Sequence, residues 1–264
     1  IFNKKKTEKY VKDSDIIFHF AAAVGVKYIL EKPLESITTN IMGTELLLKL
    51  ASQYNKKILI ASSSEVYGIQ TKSSLSENDN VTFGSSGKIR WNYAVAKFMD
   101  EFLAKAYFKT KKLKVVIVRF FNTVGPRQLG DYGMVIPRLI ENASKDKEII
   151  VHGNGKQTRT FTHVEEVIDC LIKLMTKNNA YGEVFNIGGV EEVSILNLAK
   201  KIKTKLNSKS KIKLIPYTKV YNKDFEDMPR RVPNTSKLKK LIGYAPKMKL
   251  DNILDDILNS KKRK

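Results

Sequence analysis

With a single cysteine, Cys170, the chain cannot close a disulfide on itself, and a reducing, cytoplasmic setting fits that composition. No apolar run approaches the length of a membrane span, so no membrane partner is expected. The N-terminal Ile1-Phe2-Asn3-Lys4-Lys5-Lys6 lacks the apolar core of a signal peptide. Histidine is scarce, and His19, His152 and His163 show no ligand spacing, so no metal is expected. Acidic residues are in the minority: 27 Asp and Glu against 48 Lys and Arg, a net charge of +21. That excess invites a nucleic-acid reading. Its distribution argues against one, because only 8 of the basic residues are arginine and the 40 lysines are scattered over nearly every segment. Proteins that read bases and phosphates concentrate Arg with polar or aromatic partners on one element, so no nucleic-acid partner is expected. The field would still draw small anionic substrates.

What is present is a globular composition, 42% hydrophobic and 28% charged over 264 residues, enough to bury a core in one large domain or two modest ones. Asp15–Phe20 reads as a buried strand that runs into the small residues Ala21-Ala22-Ala23-Val24-Gly25. A long helix is expected over about 33–54, a strand over 58–61, a helix over 93–108 and a strand over 114–119. Alternation at this spacing predicts a parallel, doubly wound sheet, with ligands beyond the carboxyl ends of its strands. Three such ends, Ala21–Ala23, Ser62–Glu65 and Phe120–Asn122, should line one crevice. Further on, helices are expected over 135–144, 163–175, 194–206, 235–241 and 250–258, and short strands over 149–152, 183–188 and 211–216. No internal repeat or low-complexity linker interrupts them.

The chemistry concentrates between Ser62 and Lys97. Ser62-Ser63-Ser64-Glu65-Val66-Tyr67-Gly68 follows the apolar run Lys57–Ala61, and Tyr93-Ala-Val-Ala-Lys97 opens the next helix. Residues four apart lie on one helical face, so Tyr93 and Lys97 can point into one pocket that the strand-end hydroxyls face from the other side. Either motif alone is weak; together they are much stronger.

The chain resembles the extended short-chain dehydrogenase/reductases that modify nucleotide sugars, the NAD-dependent epimerases, dehydratases and decarboxylases. The resemblance rests on seven segments in register: His19-Phe-Ala-Ala22, Asn40-Ile-Met-Gly-Thr44, Ser62–Gly68, Tyr93–Lys97, Arg119-Phe-Phe-Asn-Thr-Val-Gly-Pro-Arg127, the stretch Val151–Val164, and Phe185-Asn-Ile-Gly188. It implies a Rossmann-like doubly wound α/β domain over 1–125 and 158–187. A smaller α/β nucleotide-sugar domain over 126–157 and 188–264 would complete the fold. In this comparison the first strands and the Gly-rich turn for the cofactor diphosphate lie outside the chain, which has no Gly-x-x-Gly-x-x-Gly and is short by roughly 60 residues of βα units. As given, the chain is then expected to bind NAD poorly.

The resemblance implies oxidation of the sugar at C4, chemistry on the keto intermediate, and hydride return. Tyr93 would be the base, with Lys97 and the positive nicotinamide lowering its pKa from near ~10 and Lys97 also holding the nicotinamide ribose. Ser63 would orient the C4 hydroxyl, and Ala21 and Ala22 would line the cofactor wall. Asn122 and Arg159 would hold the diphosphate or sugar, and Arg231 a phosphate or sugar carboxylate. Ser64-Glu65 stands where sugar 4,6-dehydratases carry Asp-Glu, and it matches the pattern of UDP-glucuronate decarboxylases, as does Arg90-Trp91-Asn92. Dehydration is therefore disfavoured, while decarboxylation with Glu65 in a catalytic role and simple 4-epimerisation, both on a UDP-sugar, stay open. So do plainer readings, with Glu65 as a strand-end carboxylate bonded to backbone and Arg231 as a surface charge. The two long helices commonly build a dimer interface in this family, so a homodimer is expected. The alternative from another class is a non-catalytic scaffold that keeps the fold without a complete cofactor site.

Overall fold

The computed structural model describes residues 1–130, 134–221 and 226–262, with the backbone alone at 261 and 262. In chain order the elements begin with α1 (Lys4–Asp13), β1 (Ile16–His19), α2 (Val26–Glu31), α3 (Pro33–Gln53) and β2 (Lys57–Ser63). They continue with α4 (Asn92–Lys111), β3 (Val115–Phe120), β4 (Thr123–Val124), α5 (Val135–Ser144), β5 (Ile149–His152), β6 (Thr158–Thr160) and β7 (Thr162–His163). Then come α6 (Val164–Met175), β8 (Val184–Ile187), β9 (Glu192–Ser194), α7 (Ile195–Lys205) and β10 (Ile212–Ile215). The chain closes with α8 (Tyr217–Val220), β11 (Arg230–Arg231), α9 (Ser236–Ile242) and α10 (Leu250–Lys262). The expected elements are present, with ends shifted by a few residues. The short pieces α2, β4, β6, β7, β9, α8 and β11 were not expected.

The main sheet is parallel throughout, in the order β1-β2-β3-β8. β3 has five buried residues in succession, as a strand covered by helices on both faces requires. Side chains alternate across the sheet, so Ile58, Ile60, Val115 and Ile117 pack under α3 and α4. Leu59, Val116, Val118, Phe185 and Ile187 face α6 and α9 instead. A separate core of α5, α7, α10 and β5 holds Ile140, Leu198, Ile202, Ile253 and Leu254.

The register places Ser62 beside Arg119, and Arg119 beside Asn186, in one polar row near the carboxyl end of the sheet. All three are buried, so each needs partners. Arg119 makes two bonds to Glu101 on α4, at 2.8 and 2.7 Å, and the Ser62 hydroxyl donates to the same carboxylate at 2.5 Å. Asn186 Oδ1 accepts from the Tyr67 hydroxyl at 2.7 Å, and its amide donates to the Leu75 carbonyl at 2.8 Å. The row thus ties α4, the turn after β2 and the 70s loop to the sheet. Removing one member of a buried pair leaves the other charge uncompensated, so Arg119→Met should destabilise the fold by about 3–5 kcal/mol in urea denaturation. Combined with Glu101→Gln, the loss should be well under the sum of the single losses.

Candidate active site

Ser63 ends β2 and caps the 3-10 turn Ser64–Tyr67, its hydroxyl accepting from the Glu65 amide at 3.2 Å. Gly68 closes that turn at a φ of 64°, where a Cβ would lie 1.9 Å from the Thr82 carbonyl oxygen. Only glycine fits there. The turn aims Glu65 at two arginines: Arg90 Nη1 lies 2.5 Å from one carboxylate oxygen and Arg231 Nη1 3.3 Å from the other. Arg90 comes from a short 3-10 turn (Ile89–Trp91) leading into α4, and Arg231 from β11.

Arg231 also reaches the Ser64 hydroxyl and Asn122 Oδ1, each at 3.4 Å. Asn122 is anchored in turn, its Nδ2 donating to the Thr160 carbonyl at 2.8 Å. Arg159 donates to the Thr158 carbonyl and to Asp227, both at 2.8 Å, and Asp227 also accepts from the Tyr217 hydroxyl. Pairing of β11 with β6 sets Arg231 beside Arg159, and the contacts of Arg231 bring β11 to the strand ends of the main sheet. The structure thereby gathers Ser63, Ser64, Glu65, Asn122, Arg159 and Arg231 around one another.

Burial would raise the Glu65 carboxyl, but Arg90 and Arg231, with Arg159 behind them, outweigh it and hold the group at about 2. Arg231 is also lowered, to about 10, through burial and repulsion from Arg159. Both stay charged at neutral pH. Glu65 is therefore not a strand-end carboxylate satisfied by backbone, and Arg231 is not a surface charge.

Tyr93 opens α4, with its hydroxyl in hydrogen-bonding reach of Ser63. Burial raises its phenol pKa well above the usual range; the Glu65 charge adds to this and the Ser63 bond opposes it. That differs from the lowering expected from Lys97. Burial is the main reason and the Glu65 charge the next; Asp100, which accepts from Lys97 Nζ at 3.1 Å and sets a negative charge beside the ammonium, adds a smaller rise. On the neighbouring strand, Ala21 and Ala22 follow β1, and Asn40 clamps the next residue by bonds of 2.8 and 3.1 Å to the Ala23 amide and carbonyl. His19 is buried at the end of β1, bonded to Thr44 at 3.1 Å. Among the described residues, no group of three or more His, Cys, Asp or Glu is placed to hold a metal ion.

Sequence reasoning assigned no role to Arg90, Asp100 or Asp227. Asp100 was within reach of it, because Tyr93, Lys97 and Asp100 are spaced four and then three apart on one helical face. Arg90 lies in a 3-10 turn and Asp227 in irregular chain, where no periodicity marks an inward side.

A parallel doubly wound sheet with strand-end hydroxyls facing a Tyr-x-x-x-Lys helix defines a short-chain dehydrogenase/reductase of the extended kind. The family model described as GDP-mannose 4,6 dehydratase matches residues 1–257. The chain belongs to that family, the extended short-chain dehydrogenase/reductases that act as nucleotide-sugar epimerases and dehydratases. It is 40% identical to a UDP-N-acetyl-alpha-D-glucosaminuronate decarboxylase of Bacillus cytotoxicus over 98% of this chain and 80% of that protein. It is 33% identical to UDP-glucuronic acid decarboxylase 3 of Arabidopsis thaliana over 92% of this chain and 69% of that one. In structure it is similar to the UDP-glucuronic acid 4-epimerase of Bacillus cereus solved with UDP-glucuronic acid and NAD. The TM-score is 0.86 at 29% identity, over 97% of this chain and 78% of the epimerase.

The charge pattern bears on acid stability. A Glu65 pKa of about 2, against the ordinary 4.5, contributes stability that is present above the unfolded value and lost as pH falls through 2. Between pH 5 and 2, wild type should therefore lose about 3 kcal/mol that Glu65→Gln does not lose. Urea titrations at stepped pH measure the difference.

Proposed function

We propose that the chain is the catalytic and substrate-binding portion of an NAD-dependent UDP-uronate decarboxylase, with UDP-N-acetylglucosaminuronate as the favoured substrate. The observation that carries this is Glu65, held ionised between Arg90 and Arg231. A dehydratase needs a proton donor at this place, and neither Ser64 nor an ionised Glu65 supplies one. The arginines leave net positive charge in the cleft, which suits a diphosphate and a sugar carboxylate together. The 40% identity to the Bacillus cytotoxicus decarboxylase favours the N-acetylated uronate.

The residues present fit the nicotinamide end of the cofactor: Ala21 and Ala22 are small, not fully covered, and followed by backbone that Asn40 holds. When bound, NAD supplies the hydride acceptor and returns the hydride later. Tyr93 takes the C4 hydroxyl proton, Ser63 orients that hydroxyl, and Lys97 faces the ribose. A ketone at C4 makes the C6 carboxylate a β-keto acid. It leaves as carbon dioxide, its bonding electrons pass into a C4–C5 enolate, and C5 then takes a proton. Ser64 orients the carboxylate, Glu65 holds Arg90 and Arg231 in place beside it, Arg231 holds its charge until it leaves, and Asn122 and Arg159 bind the diphosphate. The nucleotide-sugar domain would comprise 126–157 and 188–264, and the cofactor domain 1–125 and 158–187. A free, buried Cys170 goes with a cytoplasmic setting.

Incubation of the NAD-loaded enzyme with UDP-N-acetylglucosaminuronate, UDP-glucuronate and UDP-glucose tests this reading. Carbon dioxide release with a UDP-pentose product is the expected result, fastest with the first. C4 epimers without gas would make the chain a 4-epimerase, and no turnover on any of the three sinks both readings. Tyr93→Phe should cost ~10²–10⁴-fold in kcat while nucleotide binding persists.

A homodimer is supported by an apolar stripe on α4, where Val95, Met99 and Phe102 are 45%, 45% and 56% exposed, with Met42 of α3 at 53%. Phe102→Glu should yield monomers in analytical ultracentrifugation. A variant that sediments as wild type would remove this surface from the interface.

A further inference from the structure

Lys97 and Asp100 form an ion pair with side chains 2% and 0% exposed. Such a pair costs desolvation on both sides, so its retention one turn from the Tyr93 hydroxyl calls for a physical reason. Tyr93, Lys97 and Asp100 occupy one face of α4. Burial raises the Asp100 carboxyl to about 6, with Lys97 and then Thr44 of α3 opposing it, so it is ionised at neutral pH, and its Oδ1 is left without a close hydrogen-bond partner. The other charged and titratable groups facing this pair and Tyr93 are His19, Glu101, Glu65 and Arg231. Glu101 is committed to Arg119, and His19 is held neutral, at about 4, by burial and then by Lys97. Glu65 is shared between Arg90 and Arg231. Asp100 is thus the carboxylate that faces Lys97 directly.

We propose that Asp100 is a positioning residue acting on Tyr93 through Lys97: it fixes the ammonium on the Tyr93 face, offsets part of its charge, and so sets the pH at which the tyrosine becomes a base. This rests on the reading of Tyr93 as the base. A full, uncompensated ammonium would favour the phenolate at lower pH, and the carboxylate holds that tendency back. Geometry and charge act together, because the carboxylate that orients Nζ also screens it.

The test is the pH profile of kcat for the NAD-loaded enzyme, in wild type, Asp100→Asn, Asp100→Glu and Tyr93→Phe. In Asp100→Asn the rising limb should move toward acid by roughly half to one pH unit, since an opposing charge has been removed. Its KM should change by less than about twofold, because substrate binding is not the affected step. Asp100→Glu should restore the wild-type limb. The second readout needs neither cofactor nor turnover: melting temperatures of Asp100→Asn, Lys97→Met and the double variant. Each single variant buries a lone partner, so each should melt below the double variant. An unmoved or alkaline-shifted limb, or additive melting losses, would overturn the inference. If Tyr93→Phe retains turnover, the base assignment falls and this inference with it. If Tyr93→Phe is inactive while Asp100→Asn keeps the wild-type profile, only the role of Asp100 falls.

Discussion

The bidentate pair between Glu101 and Arg119 is the contact on which the candidate site depends. It joins α4 to β3 inside the protein, and the Ser62 hydroxyl closes it onto β2. Because Ser62 precedes Ser63, and Glu101 lies one turn beyond Lys97, the same bonds set how far the strand-end hydroxyls stand from the helix that faces them. Apolar packing alone would leave that distance to side-chain volumes and would tolerate sliding. A fork of two N–H groups on a carboxylate tolerates much less.

Charge is arranged differently a few ångströms away. Glu101 and Arg119 neutralise each other, and Lys97 and Asp100 do the same, but Glu65 is shared between two arginines. Arg159 has Asp227, which also accepts from Tyr217. Matched pairs therefore lie beneath the cleft, and the surplus of guanidinium lies within it. An anionic ligand would complete the balance there, which is the physical content of the proposed uronate reading.

The main sheet was legible in the sequence because its strands are short apolar runs between amphipathic helices, and the parallel order follows from that alternation. The same alternation put the strand ends carrying Ser63, Ser64, Glu65 and Asn122 in one crevice, whereas Arg159 was legible only through resemblance, since it comes from a separate segment that periodicity does not connect. Arg231 illustrates the limit. Its place depends on β11, a two-residue strand paired with a three-residue one, and nothing in Met228-Pro-Arg-Arg-Val-Pro233 marks which arginine faces inward. Asp100 was missed for another reason. An acidic residue in a lysine-rich helix reads as solvated, and only the spacing from Tyr93 contradicts that.

Helix α4 carries three functions on three stripes. Tyr93, Lys97 and Asp100 form one; Ala94 and Glu101 are buried on a second; Val95, Met99 and Phe102 are exposed on a third, two residues on from the first. At 100° per residue, two positions put the third stripe nearly opposite the first. Rotating the helix about its axis would then disturb the Lys97–Asp100 pair, the Glu101–Arg119 fork and the proposed subunit contact at once. A helix held on all sides in this way cannot adjust Tyr93 by turning. The readiness of the proposed base must instead be set by the charges around it, and of these the helix itself supplies Lys97 and, paired with it, Asp100.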